Sequence, residues 1–289
     1  MDIWVAIILI AIAVSTAYSA WKQTSFSITV SATCIFVFMI ELIADTSTTG
    51  GILSELGFRP GDLSDPARSY TLFTSMYTHA GFSHLFWNLL GLIFIGMMFE
   101  QRIGARPFIL LYFLSGLVGT LVFAALHWNS LIPVVGASGA ISGVLGGFAR
   151  LYPRERLSMI IMVIPLPPMP IWIIVGIFVF IQILLSGTST DIAFEAHLGG
   201  LAAGILLAPL VVKMPLHKRV KRMISLSSIR GLATTPELKS ILRRIEDEEL
   251  PDIKSAWIEN FLSKARCPHC GSPLRATKEA VVCEKGHII

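Results

Sequence analysis

Seven apolar stretches recur along this chain of 289 residues, most of them near the roughly 20 residues that carry a helix across a bilayer. They narrow the fold at once. Inside hydrocarbon every backbone N–H and C=O must find a partner in its own helix or in a closed barrel, and barrel strands would alternate polar and apolar residues, which these stretches do not. A helical bundle follows. The composition agrees, with 54% hydrophobic residues, 15% charged and a mean hydropathy of +0.70, where a soluble domain carries about a quarter charged residues. The first stretch starts at Ile3 behind Asp2, without a Lys or Arg ahead of it and without a small-residue cleavage site. It reads as a retained helix and not as a signal peptide.

The positions of Lys and Arg report topology better than the net charge of +4. Spans are expected over 3–21, 26–44, 84–99, 107–126, 136–151, 169–185 and 193–212. Alternate connectors hold Lys22, then Arg102 and Arg106, then Arg150, Arg154 and Arg156, then the cluster Lys213, Lys218, Arg219, Lys221 and Arg222. Of the others, one has Arg59 and Arg68 outweighed by Glu55, Asp62 and Asp65, one has no charge, and one has Asp191. The positive-inside rule then sets the amino terminus outside and the carboxyl terminus in the cytosol, as expected for a multi-pass protein of a prokaryotic plasma membrane.

Residues 22–25 are short enough to be a tight hairpin, whereas 45–83 is long and mixed, with Gly57, Pro60-Gly61 and Pro66 as turn signals. Its segment 70–80 is too apolar for a plain linker and too short to span, which fits short helices in the interface. Pro165, Pro167, Pro168 and Pro170 break the apolar run 157–185, so the span lies after them. Beyond Val212 the composition becomes charged, and Thr235-Pro236-Glu237 reads as a capped helix start, with Leu238, Ile241, Leu242 and Ile245 at helical spacing. A second amphipathic helix is expected over 253–262.

Ser138 lies in Gly136-Ala137-Ser138-Gly139, with Gly143 and Gly147 continuing a small-residue face. A small serine of this kind ordinarily serves helix packing. On the last span, however, Gly200 and Gly204 follow His197 on roughly its face, so two flat helix surfaces are able to bring hydroxyl and imidazole within the 2.6 to 3.2 Å or so that a general base needs. A histidine in a membrane span is costly and by default functional, though a hydrogen-bonded structural role stays open. Glu195 points to another face and Asp191 is nearly two turns away, so a dyad is expected and not a triad. His84 and Asn88, four residues apart on one face, are either side-chain donors for an oxyanion or an interhelical clamp. His79 has no carboxylate or HExxH-like partner nearby, which argues against a zinc protease.

With these motifs in order, the chain resembles the rhomboid intramembrane serine proteases. The likeness runs over about 26–212 and rests on His84 with Asn88, on Glu100 with Arg102 and Gly104, on Gly136-Ala137-Ser138-Gly139 and on Ala196-His197-Leu198-Gly199-Gly200. It implies Ser138 as nucleophile, His197 as general base, and an oxyanion site from His84, Asn88 and the Ser138 amide. It also implies a structural keystone of Gly96, Glu100, Arg102 and Gly104, and a long external loop that shapes access. Two positions depart from the family pattern. Ser142 stands where an aromatic residue usually packs on the histidine, and Tyr70-Thr71 replaces an aromatic-arginine pair, near Arg68. The orientation of His197 must then come from elsewhere.

The tail carries Cys267-Pro268-His269-Cys270-Gly271 and Cys283-Glu284-Lys285-Gly286-His287. Two-residue spacing with a turn glycine marks a zinc knuckle, and Cys267, Cys270, Cys283 and His287 complete a tetrahedral structural site, with His269 as a competitor. Disulfides are disfavoured in a reducing cytosol. Cys34, within a span, is a small hydrophobe.

The expected architecture is an all-α polytopic bundle: an extra helix in 1–25, a six-helix core in 26–213, an amphipathic cytosolic linker in 214–262 and a zinc-ribbon-like module in 263–289. The expected function is an endopeptidase that cuts transmembrane or membrane-adjacent protein segments, with no cofactor for catalysis and zinc only in the tail. Its partners are the bilayer, its membrane-protein substrates and a cytosolic partner for the tail, but not nucleic acid. The rivals are an inactive binding protein of the same fold and a small transporter, which lacks support in an inverted repeat.

Overall fold

The computed structural model describes residues 3–44, 51–157, 160–161, 164–165, 167–186, 193–214, 226–248, 251–277 and 280–289. Asp191 and four members of the basic cluster, Lys218, Arg219, Lys221 and Arg222, lie outside them. The chain forms two compact units, Met1–Leu216 and His217–Ile289.

The first unit is a helical bundle. Helix α1 (Ile3–Lys22) and α2 (Phe26–Ala44) form a hairpin whose turn holds Gln23 at φ 57° and is tied by Ser19 Oγ donating to the Thr24 carbonyl at 2.9 Å. Each has about the 20 residues that give the roughly 30 Å of a hydrocarbon core. The long loop then contains α3 (Ile52–Leu56), two 3₁₀ turns at Pro60–Ser64 and Pro66–Arg68, and the single-turn α4 (Thr71–Thr74). Arg68 gathers this loop. Its guanidinium reaches Glu55 at 2.9 Å, Asp62 at 3.4 Å, the Ser54 carbonyl at 3.1 Å and the Tyr70 hydroxyl at 3.1 Å.

The next span is continuous from Phe82 to Ile103: α5 (Phe82–Gly91), one π turn (Leu92–Gly96) and α6 (Met97–Ile103). Gly104, at φ 86°, lets the chain reverse into α7 (Ala105–Leu126). Helix α8 (Ser138–Leu151) has only 14 residues, or about 21 Å at 1.5 Å per residue, and it ends in the basic connector. Its first residue therefore lies about 21 Å from that connector, less than the roughly 30 Å thickness of a hydrocarbon core. Between α8 and α9 the prolines do more than interrupt a helix. Antiparallel pairs form between β1 (Arg156–Leu157) and β4 (Met169–Pro170), and between β2 (Ile160–Ile161) and β3 (Ile164–Pro165). These short ladders were not legible from periodicity, because two-residue strands have none. Helices α9 (Ile171–Leu185) and α10 (Phe194–Lys213) complete the unit. Among the described residues five helices are long and apolar enough to cross a membrane, and α8 and α9 are shorter.

Glycine decides how α7, α8 and α10 meet. A Cβ at Gly200 would stand 2.1 Å from the Gly139 carbonyl oxygen, one at Gly204 1.8 Å from that of Gly143, and one at Gly119 2.4 Å from that of Ala196. No side chain fits there. Without a hydrophobic drive between helices in lipid, such backbone contact supplies the packing. We expect Gly204→Val to force α8 and α10 apart and to destabilise the bundle by at least the ~1–3 kcal/mol typical of overpacking. Thermal unfolding in detergent checks this, and a wild-type midpoint would refute it.

The second unit begins with α11 (Leu226–Arg230) and α12 (Pro236–Asp247), whose Thr235 hydroxyl caps the Leu238 amide at 3.2 Å. Then come α13 (Pro251–Lys264) and the antiparallel hairpin β5 (Leu274–Ala276) with β6 (Val281–Cys283). One apolar cluster joins Ile241 and Ile245 of α12 with Ile258 and Phe261 of α13 and with Leu274 and Val281 of the hairpin. The segments separated by composition as linker and ribbon thus share a core.

Candidate active site and metal centre

Ser138 is the first residue of α8, and its amide belongs to the first turn, where N–H groups lack intrahelical acceptors. The approach to it is held by the long loop. Phe58 and Val134 exchange backbone hydrogen bonds of 3.1 and 2.7 Å, the Gly136 amide donates to the Ser75 carbonyl at 2.8 Å, and Arg59 Nε donates to the Leu131 carbonyl at 2.9 Å. Gly136, at φ 109°, takes a conformation that L side chains rarely adopt. A Cβ there would also lie 2.5 Å from His84 Nε2.

The Ser138 hydroxyl oxygen is 2.7 Å from His197 Nε2. That distance follows from the Gly139–Gly200 contact a turn below, which lets α8 and α10 nearly touch. His84 and Asn88 of α5 flank Gly136, two residues before the serine, and Asn88 Nδ2 donates to the His84 carbonyl at 2.9 Å. Ser138, His197 and His84 are partly exposed, while Asn88 is buried. The arrangement unites a hydroxyl, an imidazole able to take its proton, and donors on the neighbouring side. His79 is buried with its ring 5.2 Å from that of His84, and burial first, then the neighbouring His84, pulls it down to about 3, so it stands neutral behind the site.

At Ser142, where the resemblance implies an aromatic residue against the histidine, the structure sets other groups beside the ring. Ser142 turns back to donate from its hydroxyl to the Ser138 carbonyl at 2.7 Å and does not reach the imidazole ring. Instead, α9 supplies two groups one turn apart: the Phe178 ring, 6.4 Å from that of His197, and Gln182, whose Oε1 is 3.0 Å from His197 Nδ1. Sequence reasoning passed over both. The available signal was Gln182 itself, the one polar side chain in 171–185. Glu195 faces away to pair with His127 at 3.1 Å.

Glu100 accepts hydrogen bonds from the amides of Phe26 and Ser27, at 2.5 and 2.9 Å, and from the Ser25 hydroxyl at 2.9 Å. A buried carboxylate of α6 thereby caps the amino end of α2, where free N–H groups and the helix dipole favour negative charge. Gly96 lets the same strip approach, since a Cβ there would be 3.0 Å from Ser27 Oγ. Arg102 bonds the Met98 carbonyl at 2.8 Å and pairs with Glu155 at 2.6 Å, tying α6 to the connector after α8.

In the second unit the ligand atoms of Cys267, Cys270, Cys283 and His287 all lie within 4.8 Å of one another. Cys270 Sγ is 3.7 Å from Cys283 Sγ, and His287 Nδ1 is 3.6 Å from Cys267 Sγ and 3.4 Å from Cys283 Sγ. Metal–sulfur bonds of about 2.3 Å and metal–nitrogen bonds of about 2.0–2.1 Å at tetrahedral angles put sulfurs roughly 3.8 Å apart and sulfur and nitrogen roughly 3.6 Å apart. The four residues therefore fit a tetrahedral metal. Gly271 at φ 72° and Gly286 at φ 85° make the two turns, and the His287 amide donates to Cys283 Sγ at 3.3 Å. Interactions with the Ser272 side chain and backbone draw the Cys270 thiol down to about 6. His269 is outside the group, with its ring 5.4 Å from that of His287.

Comparison with known proteins adds family context. A model of the rhomboid domain matches residues 66–214. RHOMBOID-like protein 1 of Arabidopsis thaliana is 34% identical over 145 residues, covering 48% of this chain and 33% of that protein. Putative rhomboid protease YdcA of Bacillus subtilis is 30% identical over 154 residues, covering 50% of this chain and 68% of that one. Inactive RHOMBOID-like protein 8 of Arabidopsis thaliana is 38% identical over 84 residues, 29% of this chain and 23% of that protein. The chain thus spans a third of the length of the first of these relatives.

Proposed function

This chain belongs to the rhomboid family, and from that premise we propose that it is an intramembrane serine endopeptidase that cuts transmembrane or membrane-adjacent segments of membrane proteins. The observation that carries the reading is the 2.7 Å approach of Ser138 Oγ to His197 Nε2 at the amino end of the short helix α8. Family membership alone does not carry it, since one matched relative is named inactive. The serine hydroxyl passes its proton to Nε2 as Oγ bonds to the scissile carbonyl carbon. His84, Asn88 and the Ser138 amide receive the oxyanion, and His197 returns the proton to the leaving amine. Water then releases the acyl group by the same relay. Hydrolysis consumes water and forms charge that hydrocarbon would not tolerate, which the partial exposure of Ser138, His84 and His197 accommodates. No cofactor enters this chemistry.

A fluorophosphonate that reacts with activated serines tests the reading. Wild-type protein becomes labelled and Ser138→Ala protein does not, while mass spectrometry finds membrane proteins cut by the first alone. Absence of labelling in folded wild-type protein would return the chain to the rival of an inactive binder of membrane helices.

The orientation of the reading places the long loop and the Ser138 end of α8 outside a prokaryotic plasma membrane, and Arg150 to Arg156 with the tail in the cytosol. A cysteine introduced at the exposed Ser64 should react with an impermeant thiol reagent in intact cells. Protection there would reverse the topology. The tail holds a structural zinc through Cys267, Cys270, Cys283 and His287 and serves a cytosolic partner; three thiolates and one imidazole suit that ion.

A further inference from the structure

Gln182 is the single polar side chain of α9, yet it is buried. An amide withdrawn from water in a membrane helix is costly unless it is hydrogen-bonded. Its oxygen lies 3.0 Å from His197 Nδ1 while the other ring nitrogen, Nε2, faces Ser138 Oγ at 2.7 Å. An amide oxygen only accepts, so Nδ1 carries the proton and Nε2 is left with the lone pair that a general base needs.

Resting on the dyad reading above, we propose that Gln182 is the positioning residue of this protease: it fixes the tautomer and the plane of the His197 ring from the neighbouring helix α9. A dyad without a third group leaves the imidazole free to exchange tautomers, and in one of the two neutral forms Nε2 bears the hydrogen and is no base. Ser142 does not reach the ring, because its hydroxyl is committed to the Ser138 carbonyl. Phe178, one turn before Gln182, lies beside the ring but offers no acceptor. Glu195 is paired with His127 instead. The amide is neutral, so it orients the base without placing a second charge in an apolar helix.

A further consequence concerns α9 itself. This helix presents Trp172, Ile177, Phe180, Ile181, Ile183 and Leu184 outward. Gln182 reaches His197 only while α9 is seated on α10, so the base is set by the position of that helix.

The test is the rate of fluorophosphonate labelling at Ser138, with its maximal rate separated from its half-saturating concentration, in full-length protein in detergent. Gln182→Met keeps the shape and loses the acceptor; Gln182→Glu keeps an acceptor. The expected result is a fall of about 10- to 100-fold in the maximal rate for Gln182→Met, the range for outer partners that orient an imidazole, at an unchanged half-saturating concentration and thermal midpoint. Gln182→Glu should stay within about threefold of wild type. Nitrogen NMR of ¹⁵N-histidine protein, with the His197 signals identified by their loss in His197→Ala, should show Nδ1 protonated in wild type and a mixture of tautomers in Gln182→Met. Wild-type labelling by Gln182→Met would overturn the proposal, as would slower labelling with the His197 tautomer unchanged or with a lowered thermal midpoint in both variants, the mark of a mere helix clamp. If wild-type protein is not labelled at all, the dyad reading itself has failed, and this inference with it.

Discussion

Ser138→Ala and His197→Ala are each expected to abolish proteolysis, with the double variant no worse than either. In the proposed mechanism nucleophile and base act as one unit across the 2.7 Å contact, so once one is gone the other has nothing to activate or to deprotonate, and their losses should not add. His84→Ala and Asn88→Ala should do less harm, because several donors share an oxyanion and losing one costs about 10²- to 10³-fold. Asn88 carries an added risk, being buried and bonded to the His84 carbonyl, so its loss also loosens the first turns of α5. Each variant must therefore show the wild-type thermal midpoint in detergent before its rate is read. Appreciable cleavage by well-folded Ser138→Ala protein, with contaminating proteases excluded, would make the serine mechanism untenable.

Purified full-length protein is expected to carry one zinc per chain, and Cys270→Ser or Cys283→Ser none. Three thiolates and an imidazole already spaced as the corners of a tetrahedron give structural zinc an apparent binding energy of about 10–16 kcal/mol at neutral pH, most of it folding energy in so small a module. Chelation should expose the hairpin and the buried Cys267 and Cys283 to thiol reagents while fluorophosphonate labelling of Ser138 persists. Elemental analysis without stoichiometric metal would refute the site. Loss of labelling on chelation would show instead that the tail supports the protease unit.

Much of this site was readable one residue at a time. Ser138 and His197 stood out because a hydroxyl and an imidazole are expensive in apolar helices, and the glycines beside them marked faces able to touch. Cys267, Cys270, Cys283 and His287 stood out by spacing, since metal ligands on two tight turns keep fixed short separations. Gln182 escaped notice although it obeys the same cost argument, because its partner sits 15 residues away on another helix and no spacing rule links them. Glu100 was assigned to its strip, but that it caps α2 from 73 or 74 residues away has no local signature.

Hydrophobic length and residue type thus suffice for the membrane class, the helical bundle and the chemical groups in play, because each depends on a segment's own solvation in lipid or water. Local turn chemistry likewise suffices for the capped start of α12 and for the two glycine turns that carry the Cys and His side chains of the tail. The approach of Ser138 to His197, the ladder that fastens Phe58 to Val134 and the orientation of His197 by α9 arise only once helices pack. They are set by backbone contacts between segments far apart in the chain, where a single methyl group at Gly204 would keep α8 and α10 from meeting as they do.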